Sequence, residues 1–143
     1  MMLVDVNLLL YAVNSDLSRH VQARTWFEQA LSGIERVGLP WMVLLAFLRI
    51  TTNQRVFEHP LSIETASAYI DEWLQQSVVT IVAPGRAHWN ILRSLLFLHG
   101  SGGNLATDAH IAALAIEHGA RIYSADNDFK RFSGVQHINP LAS

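Results

Sequence analysis

The 143-residue chain contains no cysteine, which removes disulfide scaffolds, cysteine-ligated zinc and thiol catalysis together. Charged side chains are scarce at 15%, against 50% hydrophobic residues, a balance that excludes intrinsic disorder. Yet no apolar run reaches the ~20 positions that a membrane helix needs. The start, "MMLVDVNLLLYAV", has no basic lead and carries Asp5 inside its apolar run. No secretory leader is expected, and the expected location is the cytoplasm. Net charge is −2 with histidine neutral, and lysine occurs once, at Lys130. Any nucleic-acid partner must therefore be met by a local basic surface rather than by global charge. "GSGGN" (100–104) is not followed by the Gly-Lys-Ser/Thr of a phosphate-binding loop. It reads instead as a mobile lead into the next helix.

What is present alternates between short apolar runs and helical periods. "MLVDV" predicts a buried strand, with "NLLLYAV" turning helical at once. Ala23, Trp26, Phe27, Ala30, Leu31 and Ile34 follow the i, i+3, i+4, i+7 spacing of an amphipathic helix over 18–33, with Ser18 as N-cap and Gly33 as its stop. "RVGL" (36–39) predicts a strand, and Pro40 leads into the almost wholly apolar helix "WMVLLAFLRITT". Ser62 caps a helix whose buried stripe is Ile63, Ala66, Ile70, Trp73 and Leu74. "VVTIVA" (78–83) is a β-branched strand ended by Pro84-Gly85, and a Leu-rich helix follows up to His99. The helix in "NLATDAHIAALAIEHG" then ends at Gly119, before the strand "RIYSA" and a last short strand at "VQHIN". Strands alternating with helices imply crossover connections. The predicted fold is α/β: one domain over 1–143, a three-layer α/β/α sandwich around a mostly parallel sheet.

Against that apolar background the placement of the acids is informative. In an open parallel sheet, ligands sit beyond the carboxyl ends of the strands. Asp5 ends the first strand, and Asp126 and Asp128 follow "RIYSA". Asp108 opens the helix that returns the chain to that second strand, so the four acids are expected along one edge. Carboxylates brought together repel and take up protons unless a cation neutralises them. A hard divalent cation suits oxygen ligands, and Mg²⁺ is commonly held by one or two carboxylates plus water and phosphate. That chemistry supports phosphodiester cleavage.

Taken together, "DVN", "TDAHIAALAIEHG" and "YSADNDF" resemble the PIN-domain nucleases, and more closely the VapC toxins of bacterial toxin–antitoxin pairs. "LPWMVLLAFLRITTN" and "INPL" are similar to a subset of those toxins. The resemblance implies a Mg²⁺- or Mn²⁺-dependent endoribonuclease acting on structured RNA such as tRNA or rRNA. It also implies a homodimer and a cognate antitoxin that blocks the acidic pocket. Carried over by position, Asp5, Asp108 and Asp126 are the catalytic, metal-holding acids, with Asp128 an outer partner. Asn7 and Ser124 match the polar residues that steady them, and Thr107 is added as a supporting neighbour. Arg49, Arg55, Lys130 and Arg131 are candidates for phosphate contact.

One departure stands out. The family places a Glu on the helix after the second strand, where this chain reads Leu44-Leu45-Ala46-Phe47, with Ala46 near the expected position. Glu58, later in the chain, is the candidate to fold back in its place. The alternative function is accordingly a weakened PIN-like domain that only binds RNA or antitoxin. A phosphatase or phospho-receiver is disfavoured, because "DVNLL" lacks the second acid and the Thr of a D-x-D-x-T motif.

Each residue also has a plainer role open to it. Asp108 can serve as a helix-start residue, in competition with Thr107. Asp126 can be a turn former. Asp5 is harder to explain that way, since an unpaired acid inside "LVDVNLLL" is expensive to bury. His110 and His118 are two turns apart, too far for one metal, and are expected in packing or on the surface. His20 precedes a helix that could approach the acids. Trp26, Trp41, Trp73 and Trp89 are expected in core or dimer packing.

Overall fold

The computed structural model describes residues 1–100 and 105–142, so all of "GSGGN" but Gly100 lies outside the described residues. The first strand, β1 (Met2–Val4), is buried at every position and passes directly into α1 (Val6–Val13). Then come α2 (His20–Ser32), β2 (Val37–Pro40), α3 (Trp41–Thr51), α4 (Ile63–Gln75) and β3 (Val79–Val82). The second half comprises α5 (His88–His99), α6 (Leu105–His118), β4 (Arg121–Tyr123), a 3₁₀ turn (Asn127–Arg131) and β5 (His137–Ile138).

The strands form one five-stranded sheet in the order β3-β2-β1-β4-β5, and every neighbouring pair is parallel. The helices pack as two groups, α1 against α2 and α3 with α4 against α3, and α5 against α6. This is the expected α/β architecture. Its core is largely aliphatic at the sheet (Leu3, Val4, Val37, Leu39, Ile122) and aromatic between helices. Phe27 and Phe47 meet the Trp73 ring edge-on at 5.4 and 4.9 Å, so α2, α3 and α4 converge on one indole.

Several local expectations hold. Ser62 caps α4 by accepting from Thr65 N, and Gly119 takes the left-handed conformation (φ +61°) that ends α6. Others fail for identifiable reasons. α2 starts at His20 with no side-chain cap. His20 Nδ1 instead donates to Tyr11 O at 2.8 Å, tying the helix start to α1. Gly33 has φ −85°, so it is not a left-handed stop. Ile34, which extends the apolar period by sequence, lies beyond the helix and is 99% exposed. Ile63 is exposed as well, because it occupies the first turn of α4 before the helix reaches the core. Trp26 and Trp73 pack against the core, whereas Trp41 and Trp89 face outward.

Candidate active site

The strand order places the site. The chain moves from β1 out to β2 and β3, then returns to the other side of β1 with β4 and β5. The reversal falls between β1 and β4, and ligands of open parallel sheets collect at such a switch point, beyond the carboxyl ends of the strands. The residues just past those two strands are Asp5 and Ser124, the latter completely buried.

A closed set of hydrogen bonds joins the two strand ends. Asp5 N donates to Tyr123 O at 3.0 Å. The Asp5 carboxylate accepts from Val6 N through Oδ1, capping α1, and from Ser124 Oγ through Oδ2, both at 2.8 Å. Ser124 Oγ in turn accepts from Asn7 Nδ2 at 3.1 Å and from Asp126 N at 3.0 Å. Asn7 Oδ1 accepts from Ala125 N at 3.2 Å. One hydroxyl and one carboxamide thus lock Asp5-x-Asn7 to Ser124-x-Asp126. His137, on β5, adds a support that no spacing in the sequence announces. Its Nε2 donates to Ser124 O at 2.9 Å, while its Nδ1 is buried without a hydrogen-bond partner.

The remaining acids come from two other elements. Asp126 is exposed and caps the 3₁₀ turn, its Oδ1 accepting from Asp128 N at 3.0 Å. Capping is therefore a real role of both Asp5 and Asp126. Asp108 stands in the first turn of α6, inside the helix rather than at its cap. Its carboxyl is pushed up to about 6, chiefly by burial and then by the Asp5 charge, with Asp128 and Asp126 adding to the push and Arg131 opposing it. Asp5 is likewise raised, first by burial, with Ser124 and Val6 pulling it down and Asp126 raising it further. Caps alone do not produce that pattern. Carboxylates from three elements feel one another's negative charge, with Arg131 and His137 opposing it.

Arg131 supplies the nearby positive charge. Its Nη2 lies 3.3 Å from Asp108 Oδ2 and 3.9 Å from Asp128 Oδ2. Of the other basic candidates, Arg49, Arg55 and Lys130 are all exposed. Thr107 is also exposed and stands outside the Asp5–Ser124 network. Glu58 does not fold back to the aspartates. It sits with Asp16 and His59, and these exposed side chains are, among the described residues, the one group of three whose ligand atoms lie within 4.8 Å of one another. The four aspartates are more open than that. His20 lines a separate cavity of about 430 Å³ with Arg24, Tyr69 and Trp73. Ala46 is half-buried on α3, a helix that carries no acid.

No spacing in the sequence announces a second, part-buried polar chain. Glu117 Oε1 accepts from His88 Nδ1 at 2.6 Å, and His88 Nε2 lies 2.8 Å from His110 Nδ1. Glu117 Oε2 accepts from Gly85 N at 2.9 Å. His110 is therefore a packing residue, as expected, but one wired to its neighbours. His118 Nε2 donates to Ala83 O at 2.9 Å.

With this geometry in hand, comparison with known proteins is decisive: the family model of the PIN domain matches residues 2–135. The chain belongs to the PIN-domain family. Within that family it is 45% identical to "Ribonuclease VapC37" of Mycobacterium tuberculosis, covering 99% of each chain. It is 40% identical to "Ribonuclease VapC33" of the same species, again covering 99% of each. Solved PIN structures share its fold at low identity. The VapBC2 complex of Rickettsia felis, bound to a promoter DNA fragment, superposes with a TM-score of 0.70 at 18% identity, covering 96% of this chain and 97% of that one. VapC20 of M. tuberculosis, described as a sarcin-ricin loop cleaving toxin, gives 0.69 at 17% identity, covering 93% and 95%. Membership in this PIN branch makes the chain a VapC-type ribonuclease. Among the described residues no helix is long and apolar enough to cross a membrane.

Proposed function

We propose that the chain is the toxin of a toxin–antitoxin pair, a metal-dependent endoribonuclease that cuts structured RNA at the Asp5–Asp108–Asp126 pocket. The observation that carries this is the under-neutralised carboxylate set at the switch point, where Asp108 is raised to about 6 by burial and its acidic neighbours. The donor set is all oxygen, which fits a hard cation such as Mg²⁺ or Mn²⁺. Asp5, Asp108 and Asp126 would hold it, with Asp128 at the margin. Bound there, the ion supplies charge neutralisation at the phosphate and activation of water. The chain's own share is positioning. Ser124 and Asn7 fix the Asp5 carboxylate, and Arg49, Arg55, Lys130 and Arg131 offer charge to the RNA backbone.

The partners follow from the same reading. Relatives named VapC ribonucleases and neighbours solved as VapBC complexes support a cognate antitoxin. The sarcin-ricin loop named for VapC20 supports a structured RNA substrate. Exposed Trp41 and Leu45 on α3, with Trp89 and Phe97 on α5, support a homodimer. A monomer mass by light scattering at micromolar concentration would remove that last element.

The alternative, a domain that holds RNA or antitoxin without cutting, is favoured by one observation: Ala46 leaves α3 with no acid. A single assay separates the two. Purified protein with structured RNA and Mg²⁺ or Mn²⁺ is expected to yield discrete fragments, and Asp5→Asn or Asp108→Asn to lose them while still folding. Equal cleavage by parent and variants would sink the site assignment. Tight RNA binding with no cleavage in either metal would select the binding-only function.

A further inference from the structure

Resting on the metal-site reading above, we infer that Arg131 is the pocket's built-in counter-cation, holding Asp108 and Asp128 until a divalent ion displaces it. Its Nη2 reaches Asp108 Oδ2 on α6 and Asp128 Oδ2 on the 3₁₀ turn, at 3.3 and 3.9 Å. Its Nε donates to Asp128 O at 2.9 Å, which anchors the base of the guanidinium. Among the described residues no other Lys, Arg or His comes within ion-pair distance of Asp5, Asp108, Asp126 or Asp128. One side chain thus bridges acids from two elements and sets their separation when no metal is bound.

The two cations compete for the same lone pairs. A guanidinium N–H held on Asp108 Oδ2 takes up a lone pair that would otherwise be open to a cation, and two positive charges would repel across that oxygen. The competition is winnable, because the Arg131 side chain is 38% exposed and has open solvent to move into, whereas the Asp108 side chain is 19% exposed and stays. The anchoring bond runs to a backbone carbonyl rather than to a carboxylate, so it can persist after the fork leaves Asp108. Arg131 therefore raises the metal concentration at which the pocket fills.

The test is Mn²⁺ binding to metal-free protein carrying Glu58→Ala, which removes the outer Asp16–Glu58–His59 group, by isothermal titration, which needs no turnover. Arg131→Ala and Arg131→Gln, the second keeping length and polarity without charge, are expected to bind Mn²⁺ tighter by roughly 2- to 5-fold, the range of a partly exposed ion pair. Arg131→Lys should fall between them and the parent, and Arg93→Ala, at an exposed position on α5, should match the parent. Unchanged or weaker Mn²⁺ binding in both neutral variants would overturn the inference and leave the metal site standing. Parent protein that binds Mn²⁺ no better than Asp108→Asn would instead overturn the metal site, and this inference with it.

Discussion

Asp108 carries its carboxyl near 6 where an ordinary aspartate sits at 3.8, because burial strips its hydration and Asp5 adds like charge. The sign of the resulting stability change is fixed. The folded state binds the proton more tightly than the unfolded chain, so ionising Asp108 costs stability as pH rises from about 4 to 6. Above pH 6 the full cost is present, and below about 4 it is gone. Asp108→Asn should therefore stabilise the metal-free protein at pH 8 by roughly 1–2 kcal/mol, a value already discounted for solvent screening. The gain should fade to nothing near pH 4, as read by urea midpoints at both pH values. A variant less stable than its parent at pH 8 would mean that Arg131 already compensates the charge. At this scale much was legible beforehand. Asp5, Asn7, Ser124 and Asp126 lie in two short motifs at strand ends, and the hydrogen bonds among them span only a few residues on each strand. His137 was not legible, since its bond to Ser124 depends on β5 pairing with β4.

Helices α5 and α6 show what an element needs beyond an apolar stripe. Apolar faces bring them together, but the Glu117–His88–His110 chain fixes how they sit. A carboxylate only accepts, so His88 donates from Nδ1 to Glu117 Oε1, and its Nε2 shares a single hydrogen with His110 Nδ1. Burial and the neighbouring His88 both hold His110 below its ordinary pKa, in keeping with a neutral ring. Gly85 belongs to the same unit, because a Cβ there would stand 2.8 Å from Glu117 Oε2. Glu117→Ala leaves the His88 and Gly85 donors without their acceptor, and should cost roughly 2–3 kcal/mol. The check is a denaturant midpoint measured beside Glu28→Ala, an exposed control on α2. Matching midpoints would show that water replaces the carboxylate freely. None of this could be read from the histidine spacing. His110 and His118 share one helix, while their partners, His88 and Ala83, come from chain that precedes residue 101. Caps divide in the same way. Ser62 works through a neighbour three residues on, whereas the α2 start is decided by Tyr11 on another helix.

Across the whole molecule, alternating strands and helices revealed a parallel sheet but not the order of its strands. That order matters most to function. Because β4 returns beside β1, the ends of the first and fourth strands become neighbours, and acids 121 positions apart, Asp5 and Asp126, share one edge. On the proposed metal-site reading a cation completes these carboxylates, which predicts a specific linkage between metal and stability. An ion that binds only the folded state stabilises it by RT ln(1 + [L]/Kd), about 2.7 kcal/mol at a hundredfold excess over Kd. For a domain of this size that corresponds to a rise in Tm of about 9 °C. Millimolar Mn²⁺ should produce such a rise at pH 8, chelator should reverse it, and Asp108→Asn should lose most of it. The exposed Asp16–Glu58–His59 group offers a second place for Mn²⁺, so Glu58→Ala is the necessary companion variant. If the rise survives Asp108→Asn but vanishes in Glu58→Ala, the cation belongs to the outer group, and the acids at the switch point need another explanation.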